Sequence, residues 1–268
     1  MSGPAASAPH RIAVPTPPGP HPASTNCYAF LDGAAVDLVD PGWDDAASLA
    51  ALEAGLAALG TGVDRVRTVV ATHWHVDHLP LAARVRDRSG ARVLLGSGDE
   101  HDAAIPVDGL LADGDRVVLG TREVPVIGAP GHTPGSLCLD LGDDGLLTGD
   151  SVLAGINPGI GLSFHVEGNP IHDYVATLGR IARDFAGRTG LPGYGDPIAE
   201  LPVRCAELVA HHRARTAEVA AVLAGHPDAA PEQIAPLLTW TGGWDGLDEV
   251  GRRSALRQTA WHRELALA

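Results

Sequence analysis

Residues 72–78 read Thr72-His73-Trp74-His75-Val76-Asp77-His78, directly after Val66-Arg67-Thr68-Val69-Val70-Ala71, so that Val66–Thr72 reads as a buried strand. In an extended turn the imidazoles at i and i+2 point the same way, and Asp77 and His78 continue past them. Four donors therefore converge where a sheet ends. Imidazole and carboxylate at that density suit zinc or another first-row divalent ion. A lone histidine in such a loop is ordinarily a polar surface residue, but three histidines and an aspartate within six residues make that reading a poor one.

Working outward, two later segments repeat the theme of a strand followed by a tight loop with one donor. Ala129-Pro130-Gly131-His132-Thr133-Pro134-Gly135-Ser136 follows an expected strand at Val124–Ile127, and Leu147-Thr148-Gly149-Asp150-Ser151 closes another at Leu146–Thr148. The glycines permit sharp turns beside the donors. Alone, the first is as readily a turn with a solvent-facing histidine, and the second a helix cap. Beside 73–78 they extend one donor set.

Around these loops, Asn26–Leu31 and Ala34–Val39 flank Asp32-Gly33 and predict a hairpin. Helices are expected over Asp44–Leu59, Leu79–Arg88 and Ile171–Phe185, and further strands at Arg92–Gly96, Val117–Leu119 and Ser136–Leu141. Strands and helices in this order predict sheets covered by helices. Residues 1–24, rich in Pro, Ala and Ser, predict a flexible segment with order beginning near Asn26. After Pro202 the pattern is helix only, at Val203–Leu223, Pro231–Trp240 and Leu247–Leu265. This predicts a body over 25–200 and a helical appendage over 201–268, onto which Trp240, Trp244 and Trp261 pack, the other reading being a wall of a substrate pocket.

The 268 residues are 45% hydrophobic, enough for a substantial core, and carry a net charge of -14 from 19 basic against 33 acidic residues. That balance argues against nucleic acid as a partner. Cys27, Cys138 and Cys205 are widely spaced and make no disulfide framework, which fits buried thiols in a reducing compartment. With no leader-like or membrane-length apolar run, the expected setting is cytoplasmic, away from the membrane. The oligomeric state is not legible.

The motifs HWHVDH (73–78), GHTPGS (131–136) and TGDS (148–151) together resemble the metallo-β-lactamase-fold hydrolases, in order and spacing, over about residues 25–200. The resemblance implies an α/β fold, a four-layer αβ/βα sandwich with a metal site at one edge. It also implies that His73, His75 and His132 hold a first Zn2+, Asp77 and His78 a second, and Asp150 both; iron or manganese is the other option. Ala210-His211-His212-Arg213-Ala214-Arg215 is similar to a helix of the subgroup related to glyoxalase II and β-lactamase-like protein 2. From the residues alone, His211 and Arg215 are one turn apart and also suit a solvated stripe or an interdomain contact. His165 and His172 approach the site from above or are ordinary loop and helix residues.

One position departs from that subgroup. Its Pro-Gly-His-Gly loop supplies the last ligand of the second metal, whereas residues 192–195 are Pro-Gly-Tyr-Gly. A phenol of pKa about 10 is a poor substitute for imidazole, so the chain holds one metal or a weak second one. Tyr194 can instead act catalytically, as a hydrogen-bond donor to an oxyanion. The expected chemistry is hydrolysis of a carbonyl substrate by a metal-activated water, with Asp77 as second ligand or general base and Asp150 orienting. The sequence offers no obvious Lys and Arg cluster for glutathione, which favours an acyl thioester on a carrier over a small-molecule thioester, ester or lactone. The alternatives are a phosphodiester or RNA hydrolase, a lyase or cyclase, and a metal-stabilised binding protein.

Overall fold

The computed structural model describes residues 8–19 and 22–268. A first sheet places β1 (His10–Pro15), β2 (Ser24–Asp32), β3 (Ala35–Val39), β4 (Val66–Val70), β5 (Arg92–Gly96) and β6 (Gly109–Leu111) side by side in chain order. The pairs from β1 to β3 are antiparallel and those from β3 to β6 parallel. Parallel neighbours need crossovers, and α1 (Ala46–Ala58) and α2 (Ala82–Ser89) provide two of them. A second sheet runs β11-β10-β9-β8-β7, from β7 (Arg116–Leu119), β8 (Arg122–Gly128), β9 (Leu137–Asp140), β10 (Leu146–Gly149) and β11 (Gly190–Pro192).

The period-2 alternation of strands sorts the core into layers. On β2, Cys27 and Ala29 face outward with Val69 and Val93 against Leu52 and Leu56 of α1. Tyr28 and Phe30 point the other way and join Val70 and Leu94 against Leu119, Leu139 and Leu147 of the second sheet. The far face of that sheet, with Cys138 and Leu146, is covered by α3 (Pro170–Asp184) through Ile171, Tyr174 and Leu178. Cys205 and Leu208 of α4 (Leu201–Gly225) join the same cluster. This is the expected αβ/βα sandwich.

The chain ends in α5 (Pro231–Ile234) and α6 (Glu249–Leu267). Trp261 of α6 lies in the cluster with α3 and α4, so the terminal helices share a core with the sandwich. Trp240 packs on a smaller cluster around Val219, Leu223 and Ile234.

Three expectations need correction. Order does not begin near Asn26: within the segment expected to be flexible, residues 10–15 form β1, with Ile12 and Val14 buried. Residues 1–7 and 20–21 of that segment lie outside the described residues. The hairpin loop is Gly33-Ala34 rather than Asp32-Gly33, with Gly33 at φ 60°, the sign that two-residue hairpin turns require. The helix expected over 231–240 stops at Ile234 and tightens into a 3-10 turn at Ala235–Leu237, because Pro236 has no N–H to continue the ladder.

Between α4 and α6 the buried rings of His212 and His262 stack at 5.6 Å and 22°, and Thr216 Oγ1 is 2.9 Å from His262 Nδ1. Burial, reinforced by nearby cationic groups, pushes both imidazoles down to about 3 and keeps them neutral at pH 7. The folded pKa then lies below the ordinary value of 6.5, so the unfolded chain takes up protons first as pH falls. Their contribution to stability is complete above about pH 6.5 and is lost as pH drops towards 3. We expect His262→Gln to shallow the fall of unfolding free energy on acidification, measured by urea titration at stepped pH. An unchanged slope would show that His262 does not titrate with unfolding.

Candidate metal centre

The donor loops leave the ends of β3, β4, β8, β10 and β11 along one edge of the sandwich. Leu137 N donates to Thr72 O at 2.8 Å and ties the loops of the two sheets together. His132 Nε2 lies 3.3 Å from His73 Nε2 and 3.0 Å from His75 Nδ1. In a tetrahedral shell with bonds of about 2.0–2.1 Å, ligand nitrogens lie roughly 3.3–3.4 Å apart.

The outer contacts decide which nitrogens face inward. Asp40 accepts from Thr72 N at 2.7 Å and from Thr72 Oγ1 at 2.8 Å, which leaves Thr72 Oγ1, 3.1 Å from His73 Nδ1, to accept the imidazole proton there. His132 Nδ1 likewise donates to Gly159 O at 2.7 Å. Both rings then present the bare Nε2, and two lone pairs meet at 3.3 Å. His75 Nδ1 is able to donate to His132 but not to both. Such a geometry suits a cation between the rings, and second contacts of this kind orient metal-bound histidines generally.

A second donor set adjoins the first. His78 Nε2 stands 3.5 Å from Asp150 Oδ1 and from Asp77 Oδ2, with Asp40 Oδ2 3.0 Å from its Nδ1. His73, His78 and Asp150 offer atoms within 4.8 Å of one another, as do His73, His75 and His132. Asp77 borders this set without joining either group. Burial leaves His78 Nε2 and Asp150 Oδ1 without hydrogen-bond partners. Desolvation opposes charge on both: it pushes the Asp150 carboxyl up, whereas at His78 the carboxylates of Asp77, Asp150 and Asp40 outweigh it and raise the imidazole. Burial pushes His73 and His75 well down and His132 to about 3, so the first three rings are neutral donors. Neutral imidazoles beside clustered carboxylates fit a divalent ion.

The Metallo-beta-lactamase superfamily model matches residues 21–195. The chain belongs to that superfamily. Among curated relatives, a hydroxyacylglutathione hydrolase of Anaeromyxobacter dehalogenans is 36% identical over 210 residues, covering 78% of this chain and 76% of the relative. One from Cereibacter sphaeroides is 37% identical over 136 residues, and there the chain spans about half the relative's length, 51%. A beta-lactamase-like protein 2 homolog of Caenorhabditis elegans is 27% identical over 79% of this chain and 70% of that protein. In three dimensions, a metallo-beta-lactamase family protein from Thermus thermophilus matches with a TM-score of 0.79 at 26% identity, covering 96% of this chain and 92% of that one.

Tyr194 of this superfamily member lies beside the second donor set, its ring 5.8 Å from that of His78 and edge-on. The preceding residue must be small, because a Cβ on Gly193 would come 2.4 Å from Asp150 Oδ1. The loop is held from the first sheet. Asn26 Nδ2 donates to Pro192 O at 2.9 Å and to Gly195 O at 2.8 Å, Tyr28 Oη to Pro192 O at 2.8 Å, and Arg11 Nη1 to Gly195 O at 2.9 Å. Asn26→Ala removes two side-chain hydrogen bonds while Tyr28 and Arg11 still pair the two carbonyls, so at about 0.5–1.5 kcal/mol net per bond we expect a loss of about 1–3 kcal/mol in chemical unfolding. A change within error would show that the clamp is redundant.

The centre opens into a cleft of about 450 Å³ whose polar floor includes His75, Asp77, His132, Asp150 and Tyr194. Its walls are apolar, with Trp74, Val76, Leu153, Ile156, Leu162 and Val250, and Arg253 of α6 also lines it. Much of the wall belongs to the long loop after Asp150, and the C-terminal helices fix that loop. Arg204 donates to Leu153 O and Ile156 O at 2.7 and 2.6 Å, Ser254 to Ile160 O at 2.6 Å, and Arg257 to Gly161 O at 3.1 Å.

Several sequence candidates lie elsewhere. His165 is exposed and pairs with Asp102 at 2.7 Å, and exposed His172 faces Asp173. Arg215 is buried over Trp240 rather than part of a solvated stripe, and His211 Nδ1 is 3.3 Å from Asn157 Nδ2. Sequence reading missed Asp40, Asp99 and Arg253. Asp99 accepts from Trp74 N, Thr133 Oγ1 and Gly135 N at 3.1, 2.7 and 2.7 Å, which binds the two histidine loops together. Asp40 follows β3 at φ 54°, in the left-handed region that non-glycine residues seldom adopt, and nothing in its sequence neighbourhood announces that. Of Arg252, Arg253 and Arg257 on α6, Arg253 is the one that lines the cleft, whereas Arg257 donates to Gly161 O and Ser163 O and Arg252 lies over Trp244. Among the described residues no helix is long and apolar enough to cross a membrane.

Proposed function

We propose that this protein is a metal-dependent hydrolase of acyl thioesters with a small-molecule thiol as leaving group. The observation that carries this reading is the cleft itself: donor-lined floor, apolar walls and Arg253 at its side. The apolar walls suit an acyl group, and Arg253 suits an anionic thiol moiety. That cation supports a small anionic thiol over a protein carrier as the leaving group. The relatives named hydroxyacylglutathione hydrolase support a thioester as the bond cleaved.

His73, His75 and His132 would hold one ion, with Asp150, His78 and Asp77 beside a second position; the nitrogen and oxygen donors suit zinc first, and iron or manganese next. An ion held there would supply Lewis acidity, towards a carbonyl oxygen and towards a water whose pKa it would lower to about 7. Asp77, with its side chain 14% exposed at the floor, takes the proton of the attacking water. Tyr194 donates a hydrogen bond from its hydroxyl to the oxyanion as the carbonyl carbon becomes tetrahedral. Collapse breaks the C–S bond, the thiol leaves with one proton, and the carboxylic acid departs. Asp40 and Gly159 O hold the imidazole orientations throughout.

The test is a panel of acyl thioesters, lactones and bis-aryl phosphodiesters with metal-loaded protein in ¹⁸O water. One solvent oxygen in the acid product and a preference for thioesters are expected. Turnover without solvent oxygen, or faster phosphodiester cleavage, overturns the proposal.

A further inference from the structure

Behind the 157–159 segment of the cleft wall lies a separate cavity of about 240 Å³, lined by Asn157, His211, Arg215, Trp240, Ala255 and Gln258 among others. The Arg215 side chain is 7% exposed and its guanidinium carbon sits 4.1 Å over the Trp240 ring. Nη2 donates to Thr239 O, but Nη1 is buried and meets no acceptor. The carboxylate of Glu218 forms an ion pair with the guanidinium, 3.6 Å from Nε, and accepts from Thr239 N at 2.9 Å, but Nη1 is left without a partner. A guanidinium that is buried, stacked and only half satisfied is costly unless an anion completes it. The surroundings limit the charge of that anion. His211 is kept neutral by its burial and by Arg215, and Asn157 and Gln258 add no charge. Among the described residues that line the cavity Arg215 is thus the cation, its Nε side turned to Glu218, and its planar fork matches a planar, singly charged acceptor.

We propose that this cavity binds a small carboxylate, held by Arg215 against the Trp240 indole. The site does not depend on the thioester reading, and its test uses metal-free protein, so the two fail separately. Full-length protein is stripped of metal, dialysed free of chelator, and titrated with sodium acetate, propionate or phosphate against sodium chloride at matched ionic strength. Tryptophan fluorescence and the thermal midpoint are followed. A saturable response to acetate or propionate, and not to chloride or phosphate, is expected. Arg215→Gln should weaken it about ten-fold or more, the loss of a hydrogen-bonded charge. Ala255→Met, which fills the cavity while keeping Arg215, should abolish it and covers the case in which Arg215→Gln does not fold. A response to carboxylate no different from chloride, saturation by phosphate instead, or undiminished saturation in a folded variant overturns the proposal.

Discussion

His75→Ala is expected to empty the first metal position and to lower thioester turnover by more than about 100-fold. Losing a residue that merely orients a ligand costs 10–100-fold in metal affinity or activity, and removing a donor nitrogen outright should exceed that. His75 Nδ1 is one corner of a triangle with His73 and His132, and the two remaining imidazoles leave an ion under-coordinated. His211→Ala is the control: that ring touches Asn157 and neither donor group, so metal content should stay at the wild-type value. Metal analysis by mass spectrometry and a chelator competition read both variants. Wild-type affinity in His75→Ala, or full activity in metal-free wild-type protein, would remove the first site as assigned.

Tyr194 carries the second large effect. Tyr194→Phe is expected to lower kcat by about 10²-fold, the scale of losing one oxyanion donor, with metal per chain unchanged. Tyr194→His should do something different. The ring position borders His78 and follows a glycine pressed on Asp150, so an imidazole there adds a donor to the second set and raises metal content towards two per chain. Wild-type turnover in the phenylalanine variant rules out the hydroxyl as donor. No added metal in the histidine variant shows that the position does not face the second ion.

The clustering of these His and Asp side chains was legible because chemistry and periodicity coincide within short windows: HWHVDH ends a buried strand, and GHTPGS and TGDS follow others. The layering was legible for the same reason, since Cys27 against Tyr28 and Val69 against Val70 are a local alternation. What escaped notice depends on distant partners. Asn26 finds Pro192 and Gly195, Asp40 finds Thr72 and His78, and Asp99 finds Thr133 and Gly135, none adjacent in the chain. β1 was hidden because its alternation is only Ile12 and Val14 amid proline and alanine, too short to outweigh composition. The helix at 231–240 was overextended by weighting apolar spacing above Pro236.

The three side chains that grip the loop above the candidate metal centre, Arg204, Ser254 and Arg257, all lie in roughly the last 70 residues of the chain, and the carbonyl facing His132 belongs to that loop. Selection cannot therefore treat the terminal helices as a detachable module. A substitution on α6 that never meets substrate should still register as a change in substrate preference, and exchanging these helices between superfamily members should transplant the shape of the binding wall together with them. Directed evolution confined to the sandwich would be working with the other half of the specificity held fixed.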